Sequence, residues 1–336
     1  MYTPSWNELK APRGFLFIGD PHVSSVAPGR RVDDYLTTVL GKLEVAARIC
    51  WEKKLIPVLL GDLIHRDNES SIAMLSRLNK GLRKFPCMPI ELDGNHGKRQ
   101  FRPTEGDMEH LLQDIGSLWL VQSPGLVGEF VFDGVAVKLY GCPHEDALPT
   151  VLPANGDDAV NILITHHDLA FEDGYPGAKP VLEIANCSML VNGHMHKTMP
   201  SLQVGQMRAH NPGNIEPLSL DVIDHVPSVW EWSPEQLDFE LVQHVVPHDS
   251  LCFDLTGVQV DASEDAQGAV DALKESQFAV LLAGEVSLDA HRTNDGTVLL
   301  EDLDVVCETA RASEVARSLL SSLIRKATEG TADDHN

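Results

Sequence analysis

Residues 14–22 read GFLFIGDPH, a short apolar run that ends in glycine and is followed at once by an aspartate and a histidine. A run of this length, bounded by turn residues, is typical of a strand that is buried on both faces. The same arrangement recurs at LIPVLLGD (55–62) and MPIELDGNH (88–96), and the apolar periodicity between the three runs predicts helices over 33–52 and 69–84. This β-α-β-α-β order predicts a parallel sheet with right-handed crossovers.

Apolar runs continue through the second half of the chain, and two of them also end in histidine, at NILITHH (161–167) and SMLVNGHMH (188–196). The pair Asp133-Gly134 lies between two alternating runs and predicts a β-hairpin, because it suits a tight two-residue turn. The stretch Thr104 to Asp107 has the spacing of a capping box and predicts a helix that ends at about residue 115. Three further runs indicate a second sheet: 207–213, 227–233 and 239–246.

The composition is that of a globular protein, since 43% of the 336 residues are hydrophobic and 23% are charged. No apolar run reaches the roughly 18 residues of a membrane span, and the N-terminus lacks the basic-then-apolar order of a signal peptide. The six cysteines are far apart and none forms a C-x-x-C pair, which favours free thiols in a reducing compartment. We therefore predict a cytoplasmic protein that does not bind membranes.

The formal net charge is −24, from 26 basic and 50 acidic residues. Proteins that bind nucleic acids usually carry a basic surface, so this charge is unusual for such a function. It does not exclude the function, because bound metal ions add local positive charge and a basic partner subunit can hold the polymer.

The pattern of elements divides the chain into two domains. Residues 1–246 carry the strand and helix signals described above and form the larger domain. Residues 247–330 are acidic and read β-α-β-β-α, which predicts a small α+β domain. Its last helix has one apolar stripe, which packs on the domain's own sheet or docks a partner. Residues 331–336 (TADDHN) are predicted to be a disordered tail.

Five short motifs follow predicted strands, at the edge where open α/β sheets bind their ligands. Each motif alone is weak evidence, because the chain has 15 histidines and most of them have structural roles. Together they supply carboxylate, amide and imidazole groups that suit manganese, iron or zinc, and they predict one metal centre. The motifs are GDPH (19–22), GDLIH (61–65), GNH (94–96), THH (165–167) and GHMH (193–196).

The order of these motifs resembles that of the calcineurin-like metallophosphoesterase superfamily. More narrowly, GDLIH (61–65), GHMHK (193–197) and NPGNIEPLS (211–219) are similar to stretches of the SbcD-type DNA-repair nucleases, the partners of SbcC-type ABC ATPases. The resemblance implies an α/β fold, a four-layer α-β-β-α metallophosphoesterase sandwich followed by a small C-terminal α+β cap domain. It also implies two divalent ions, which we expect to be Mn²⁺, with Fe, Zn and Mg as the other possibilities.

The resemblance implies a role for each motif residue. Asp20, His22 and His196 are expected to hold the first ion, and Asn95, His166 and His194 the second, with Asp62 bridging the two. His96 is expected to protonate the leaving oxygen of a phosphodiester, while the ion pair binds phosphate oxygens and acidifies a water molecule. His167 is expected to face the other side of its strand.

The chain departs from the family pattern at two positions. Most members have an acidic residue directly after G-N-H, where this chain has Gly97, and many have a carboxylate at the position of His65. His65 either orients His96 through a hydrogen bond or only packs beside it. These two departures concern how efficiently His96 donates a proton. They do not affect the predicted metal binding.

One basic cluster, KRQFR (98–102), lies just past the G-N-H motif. Its cations Lys98, Arg99 and Arg102 either contact a DNA backbone or lie in a solvated loop. His144 in GCPH (141–144) is interpreted as a loop residue and not as a ligand.

These observations favour a manganese-dependent DNA exonuclease or endonuclease that works with an SbcC-type ATPase, as a homodimer, in repair, recombination or degradation of DNA. The chain is short for the cellular proteins, so a phage-encoded form in the host cytoplasm is an option. Two alternatives stay open: a small-molecule or cyclic-nucleotide phosphodiesterase or protein phosphatase, and a non-catalytic, metal-stabilised subunit that binds DNA ends.

Overall fold

Two six-stranded sheets form the centre of the molecule in the computed structural model. The structure describes residues 9–98, 100, 102–154, 159–171, 177–219, 222–223, 225–236, 238–249 and 252–255.

The first sheet has the strand order β14-β13-β1-β2-β3-β4. Strands β1 to β4 are parallel, as the β-α-β-α-β pattern predicts, and β13 pairs with β1 in the antiparallel direction. The bounds are β1 Gly14–Ile18, β2 Leu55–Leu59, β3 Ile90–Leu92, β4 Trp119–Val121, β13 Ser228–Trp232 and β14 Val242–Val245.

The second sheet has the order β11-β12-β10-β7-β6-β5. Its central strands β12, β10, β7 and β6 are parallel, and the predicted hairpin at Asp133-Gly134 joins β5 to β6. The bounds are β5 Gly125–Phe132, β6 Val135–Cys142, β7 Val160–His166, β10 Met189–Gly193, β11 Met199–Val204 and β12 Met207–Asn211. A separate parallel pair consists of β8 Leu169–Ala170 and β9 Lys179–Pro180.

Three helices cover the outer face of the first sheet: α1 Tyr35–Lys53, α2 Ile72–Leu82 and α3 Met108–Asp114. Asp34 caps α1 by accepting a hydrogen bond from Thr37 N, and Ser71 caps α2 in the same way through Met74 N. These bonds satisfy amides that the first helical turn leaves unpaired. The apolar stripes of the helices, including Val39, Leu43, Leu78 and Leu112, pack with Leu16 and Ile18 of β1.

Strand β1 shows how the alternation of side chains builds two cores at once. Leu16 and Ile18 face the helices, whereas Phe15 and Phe17 face the second sheet, as the two-residue period of a strand requires. Phe15 meets Phe132 of β5 edge to face, with ring centroids 5.0 Å apart. The aromatic contact fixes the two sheets against each other.

The α/β sandwich with two packed sheets confirms the predicted fold class. The predicted fourth layer was helical, but in the described residues this layer consists of irregular chain. There the outer face of the second sheet is covered by irregular chain that contributes Leu152, Phe171, Ile184 and Cys187 to a third apolar cluster.

Two local predictions were wrong. Strands β13 and β14 belong to the first sheet and not to a second sheet with β12, because Trp232 pairs with Phe15 at the free edge of β1. Thr104 does not open α3, which begins at Met108; instead Asp107 accepts a hydrogen bond from Thr104 N at 2.8 Å and stabilises the preceding turn.

The last described residues, 252–255, lie beside the segment that leads into α1. Val32 N donates to Cys252 O, and the guanidinium of Arg31 lies over the Phe253 ring at 5.2 Å. Arg31 also bonds to Glu216, which is fully buried. Nearly all of the predicted α+β domain (247–330), and all of the predicted tail (331–336), lie outside the described residues.

No helix among the described residues is long and apolar enough to span a membrane. The five described cysteines are buried and free, which agrees with the predicted absence of disulfides: Cys50, Cys87, Cys142, Cys187 and Cys252.

Replacing Phe15 by alanine is expected to lower the free energy of unfolding by about 3 to 5 kcal/mol, because the change opens a cavity between the two sheets. Chemical denaturation monitored by circular dichroism measures this loss. Val131→Ala is the control, since Val131 lies on β5 with 67% of its surface exposed. Equal unfolding midpoints for the two variants would contradict the assigned core.

Candidate metal centre

The five sequence motifs meet at one edge of the two sheets. Asp20 follows β1, Asp62 follows β2, and Asn95 and His96 follow β3, while His166 ends β7. His194 and His196 come directly after β10. The carboxyl ends of parallel strands converge at this edge, which is why residues far apart in sequence become neighbours.

The backbone at this edge is strained. Four of the predicted ligands have positive φ angles: Asp20 (34°), His22 (46°), Asp62 (50°) and His194 (73°). Aspartate and histidine tolerate the left-handed region better than most residues, yet such conformations still persist only where the surrounding structure imposes them. Their concentration at one place marks it as a functional site.

The carboxylate of Asp62 lies at the middle of the cluster and is fully buried. Its Oδ1 accepts hydrogen bonds from the backbone N–H groups of Asn95 and His96, at 2.8 and 2.9 Å. Its Oδ2 lies 3.6 Å from Nε2 of His22 and 3.2 Å from Nε2 of His166, and pairs with His166 when that ring is charged. One oxygen therefore holds the G-N-H loop, and the other faces histidines from both predicted ion sites.

The residues predicted to hold the first ion are adjacent. Nε2 of His22 and Nε2 of His196 are 3.0 Å apart, close to the separation of two nitrogen ligands on one tetrahedral ion, which is roughly 3.4 Å. Burial lowers the pKa of His22 well below its usual value and keeps the ring neutral, which is the metal-binding form. Oδ2 of Asp20 is buried and has no hydrogen-bond partner in the described part of the chain.

The residues predicted to hold the second ion surround Oδ1 of Asn95. Nε2 of His166 and Nδ1 of His194 each lie 3.0 Å from that oxygen. His166 donates its Nδ1–H to Leu60 O at 2.8 Å, which turns Nε2 toward the cluster. The donor atoms of Asp62, His166 and His194 lie within 4.8 Å of one another.

This donor set fits two divalent cations. A buried carboxylate oxygen without a partner among the described residues, such as Oδ2 of Asp20, is costly unless a cation or a proton balances it. Mixed imidazole, amide and carboxylate donors suit Mn, Fe or Zn, and do not select among these ions. The structure brings all seven predicted ligands together, whereas their assignment to individual ions stays a prediction.

His96 is oriented by the backbone of His65 and not by its imidazole. Nδ1–H of His96 donates to His65 O at 2.9 Å, and the two rings stack with centroids 5.6 Å apart. Nδ1 of His65 lies 3.3 Å from Nδ1 of His22, and burial lowers the pKa of His65 to about 3. The hydrogen bond on Nδ1 leaves Nε2 of His96 for exchange of a proton.

The basic cluster after G-N-H makes ion pairs within the protein. Nζ of Lys98 is bonded to both carboxylate oxygens of Asp93, at 2.9 and 3.0 Å, and only 7% of its side chain is exposed. Arg102 pairs with Asp93 and with Asp146. Arg99 lies outside the described residues. The loop is thus neither a simply solvated segment nor a row of free cations, and the predicted DNA contacts stay untested.

Sequence reasoning missed Asp168 at the centre, and it interpreted His144, which also lies there, as a loop residue. Oδ1 of Asp168 lies 2.8 Å from Nε2 of His194, and the His144 ring lies 5.4 Å from the His194 ring. Both residues also follow strands of the second sheet, β7 and β6, which was the available signal. His167 is buried and donates to Asp146 O, away from the cluster, as its place on the strand predicts.

A buried glutamate and Ile64 explain why residue 97 is glycine. Glu109 on α3 is fully buried and its Oε1 lies 3.4 Å from Ile64 N. A Cβ at position 97 would lie 2.8 Å from Oε1 of Glu109, and Gly97 has a φ of +72°. Burial and the charges of Asp93 and Asp62 raise the pKa of Glu109 well above its usual value, and burial likewise raises that of the nearby Glu91. Glu109, together with Cβ and the carbonyl oxygen of Ile64, occupies the space that a side chain at position 97 would need.

Comparison with known families identifies one match. The family described as calcineurin-like phosphoesterase matches residues 14–198, which is more than half of the chain. No curated protein matches the sequence. Among solved structures, that of a 5′-nucleotidase precursor from Thermus thermophilus is similar with a TM-score of 0.41 and 11% identity. The match covers 82% of this chain and 60% of the other, and a likeness this distant carries no argument about function.

Replacing Gly97 by alanine is expected to destabilise the protein by about 1 to 3 kcal/mol, because the new methyl group meets Glu109 and the backbone is left-handed. Thermal unfolding of the metal-free protein measures the effect. Gly116→Ala is the control, because Gly116 also has positive φ (67°) but has open space around it. A loss no larger than that of the control would contradict the close packing of Glu109 and Ile64 around position 97.

Binding of divalent ions at pH 7 is expected to release about one proton, mainly from His166. Burial alone would lower the pKa of His166, but Asp62 and Asp20 raise it to about 9, so the ring is charged at pH 7 without ions. Burial raises the pKa of Asp20 to about 6, so this carboxyl is protonated below pH 6. Ion binding at lower pH must then displace a second proton, and the affinity for ions declines.

Calorimetry in buffers of different ionisation enthalpy counts the released protons. His166→Ala, which also removes a predicted ligand of the second ion, should bind fewer ions and release no proton at pH 7 for the ion that still binds. A release that does not rise between pH 7 and pH 5 would contradict the assignment of the second proton to Asp20.

Proposed function

We propose that the chain, which belongs to the calcineurin-like phosphoesterase family, is a nuclease that hydrolyses phosphodiester bonds of DNA with two divalent ions. Membership of this family implies a metal-dependent hydrolase of phosphoesters. The observation that carries the proposal is the position of Oδ2 of Asp62, a buried carboxylate oxygen that faces histidines of both predicted ion sites.

The chemistry follows from what each side chain can do. When bound, two cations offset the charge of the phosphodiester and make a water molecule more acidic. Asp62 and the six other predicted ligands fix the place where the phosphate binds. In its protonated form His96 can give the proton on Nε2 to the leaving oxygen and keep its Nδ1–H bonded to His65 O, which leaves a neutral ring.

The choice of DNA as substrate is supported by the stretch NPGNIEPLS (211–219), which resembles the nucleases and packs against the centre. Asn214 N donates to His196 O, and Ile215 N donates to Gly19 O, each at 2.9 Å. The stretch therefore holds the loops of Asp20 and His196 in place, and forms one wall of the centre. On the same resemblance we propose Mn²⁺ as the ion, an SbcC-type ATPase and a second copy of the chain as partners, and a cytoplasmic location.

A second candidate function is hydrolysis of a small phosphodiester or a phosphomonoester. It is favoured by the ion pairs of Lys98 and Arg102 with Asp93, because these cations are already engaged within the protein. The net charge of −24 also disfavours a long polyanion unless ions or a basic partner attract it. The nuclease proposal therefore expects DNA binding by the isolated chain to be weak and strongly ion-dependent.

The test is to incubate the purified protein with Mn²⁺ and end-labelled single- and double-stranded DNA, with and without an SbcC-type ATPase. His96→Asn is expected to lower kcat by about 10²- to 10⁴-fold while both ions stay bound, because a general acid is lost and no ligand is. Asp62→Asn is expected to abolish cleavage and to weaken binding of both ions.

His244→Asn is the control, since His244 lies on β14 and bonds to Glu231 instead of a residue of the centre. Wild-type cleavage by His96→Asn would reject the assigned acid. Hydrolysis of a chromogenic phosphodiester without any cleavage of DNA would favour the small-substrate function. Binding of DNA ends without any hydrolysis would favour a non-catalytic subunit.

A further inference from the structure

Asp168 is a carboxylate that the sequence motifs do not include, yet it contacts a predicted ligand directly. Its Oδ1 lies 2.8 Å from Nε2 of His194, and the side chain of His194 is 19% exposed. The opposite nitrogen of the ring, Nδ1, lies 3.0 Å from Oδ1 of Asn95 inside the cluster. The imidazole of His194 therefore spans from Asp168 to the predicted site of the second ion.

We propose that Asp168 is a positioning residue for the second metal ion. The inference deepens the proposed function, because it rests on the assignment of His194 as a ligand of that ion. A charged carboxylate only accepts hydrogen bonds, so Nε2 of His194 carries the hydrogen and Nδ1 keeps its lone pair in the neutral ring. Asp168 thus fixes which nitrogen binds the ion, and in which direction it points.

The local backbone holds Asp168 in place. It follows β7 by two residues, and its carbonyl oxygen accepts a hydrogen bond from Lys179 N at 2.9 Å, at the start of β9. The backbone of Asp168 is thus attached to a short parallel strand pair, and its carboxylate, 41% exposed, is held by the bond to His194. A fixed acceptor is what a ligand histidine needs in order to keep its ring orientation.

The acceptor of the second ring nitrogen is a carboxylate in His194, whereas it is a backbone carbonyl in two other described histidines of the centre. His166 and His96 donate to the backbone carbonyls of Leu60 and His65. A carboxylate partner also raises the basicity of the ring, which a neutral carbonyl does less strongly. Asp168 therefore strengthens a ligand that reaches the ion from the open side of the centre, where the ring is partly exposed.

The experiment titrates metal-free protein with Mn²⁺ in a calorimeter and needs no substrate. Asp168→Ala is expected to lower the binding affinity for one of the two ions by about 10- to 100-fold and to leave the affinity for the other unchanged. Asp168→Asn is expected to lie between the alanine variant and the wild type, because its amide oxygen keeps the acceptor and loses the charge. Thermal unfolding of each metal-free variant reports whether the fold is intact.

Glu231→Gln is the matched control, because Glu231 bonds to His244 at 2.7 Å in the same type of carboxylate–histidine pair, away from the centre. It should leave both ions at wild-type affinity. Wild-type affinities in Asp168→Ala, or an equal loss of both ions, would overturn the inference. A third bound ion in the wild type that disappears in Asp168→Ala would also overturn it, because Asp168 would then be a ligand itself.

The outcome is separable from the proposed function. A wild-type protein that binds two ions but cleaves no DNA rejects the nuclease proposal, and a selective loss in Asp168→Ala still supports the positioning role. Cleavage of DNA by the wild type, together with unchanged ion binding in Asp168→Ala, supports the nuclease and rejects the role of Asp168.

Discussion

The buried negative charge of Asp62 is the constraint on which the centre depends. Burial disfavours the ionised form, but the neighbouring imidazoles of His166 and His96 hold the pKa of this carboxyl well below its usual range. The same side chain accepts two backbone hydrogen bonds from the G-N-H loop. A Cβ on Gly94 would lie only 2.1 Å from Oδ1 of Asp62, so the charge also dictates the glycine opposite it. One carboxylate thus holds the G-N-H loop by hydrogen bonds, interacts with the charges of the neighbouring imidazoles and leaves no room for a side chain at position 94.

Much of the fold was predictable because its determinants are local. Apolar runs bounded by glycine predicted β1, β2 and β3, and the parallel order then predicted that Asp20, Asp62 and Asn95 would meet at one edge. The pairing of β13 with β1 was not predictable, since an alternating run does not say which sheet it joins.

The contacts that sequence reasoning missed are those made by single side chains across long separations. Glu109 reaches position 97 from α3, and Asp168 reaches His194 from the segment after β7; the place of Asp168 after a strand indicated the edge of the sheet but not the contact with His194. His96 is held by a backbone carbonyl, which the identity of His65 cannot indicate. Motifs thus identify the predicted ligands, whereas the residues that orient those ligands are brought to them only by tertiary packing.

The strained backbone of the ligands has a consequence for how the sequence can change. Residues in sparsely populated φ regions cost of order 1 to 3 kcal/mol each, and Asp20, His22, Asp62 and His194 all lie in one. The summed conformational cost of these four residues is comparable to the free energy of unfolding of a typical domain, which is about 5 to 15 kcal/mol. Glycine at these positions would relieve the strain and remove the ligands. Substitutions chosen for stability alone would therefore favour glycine at these four positions and remove the predicted ligands.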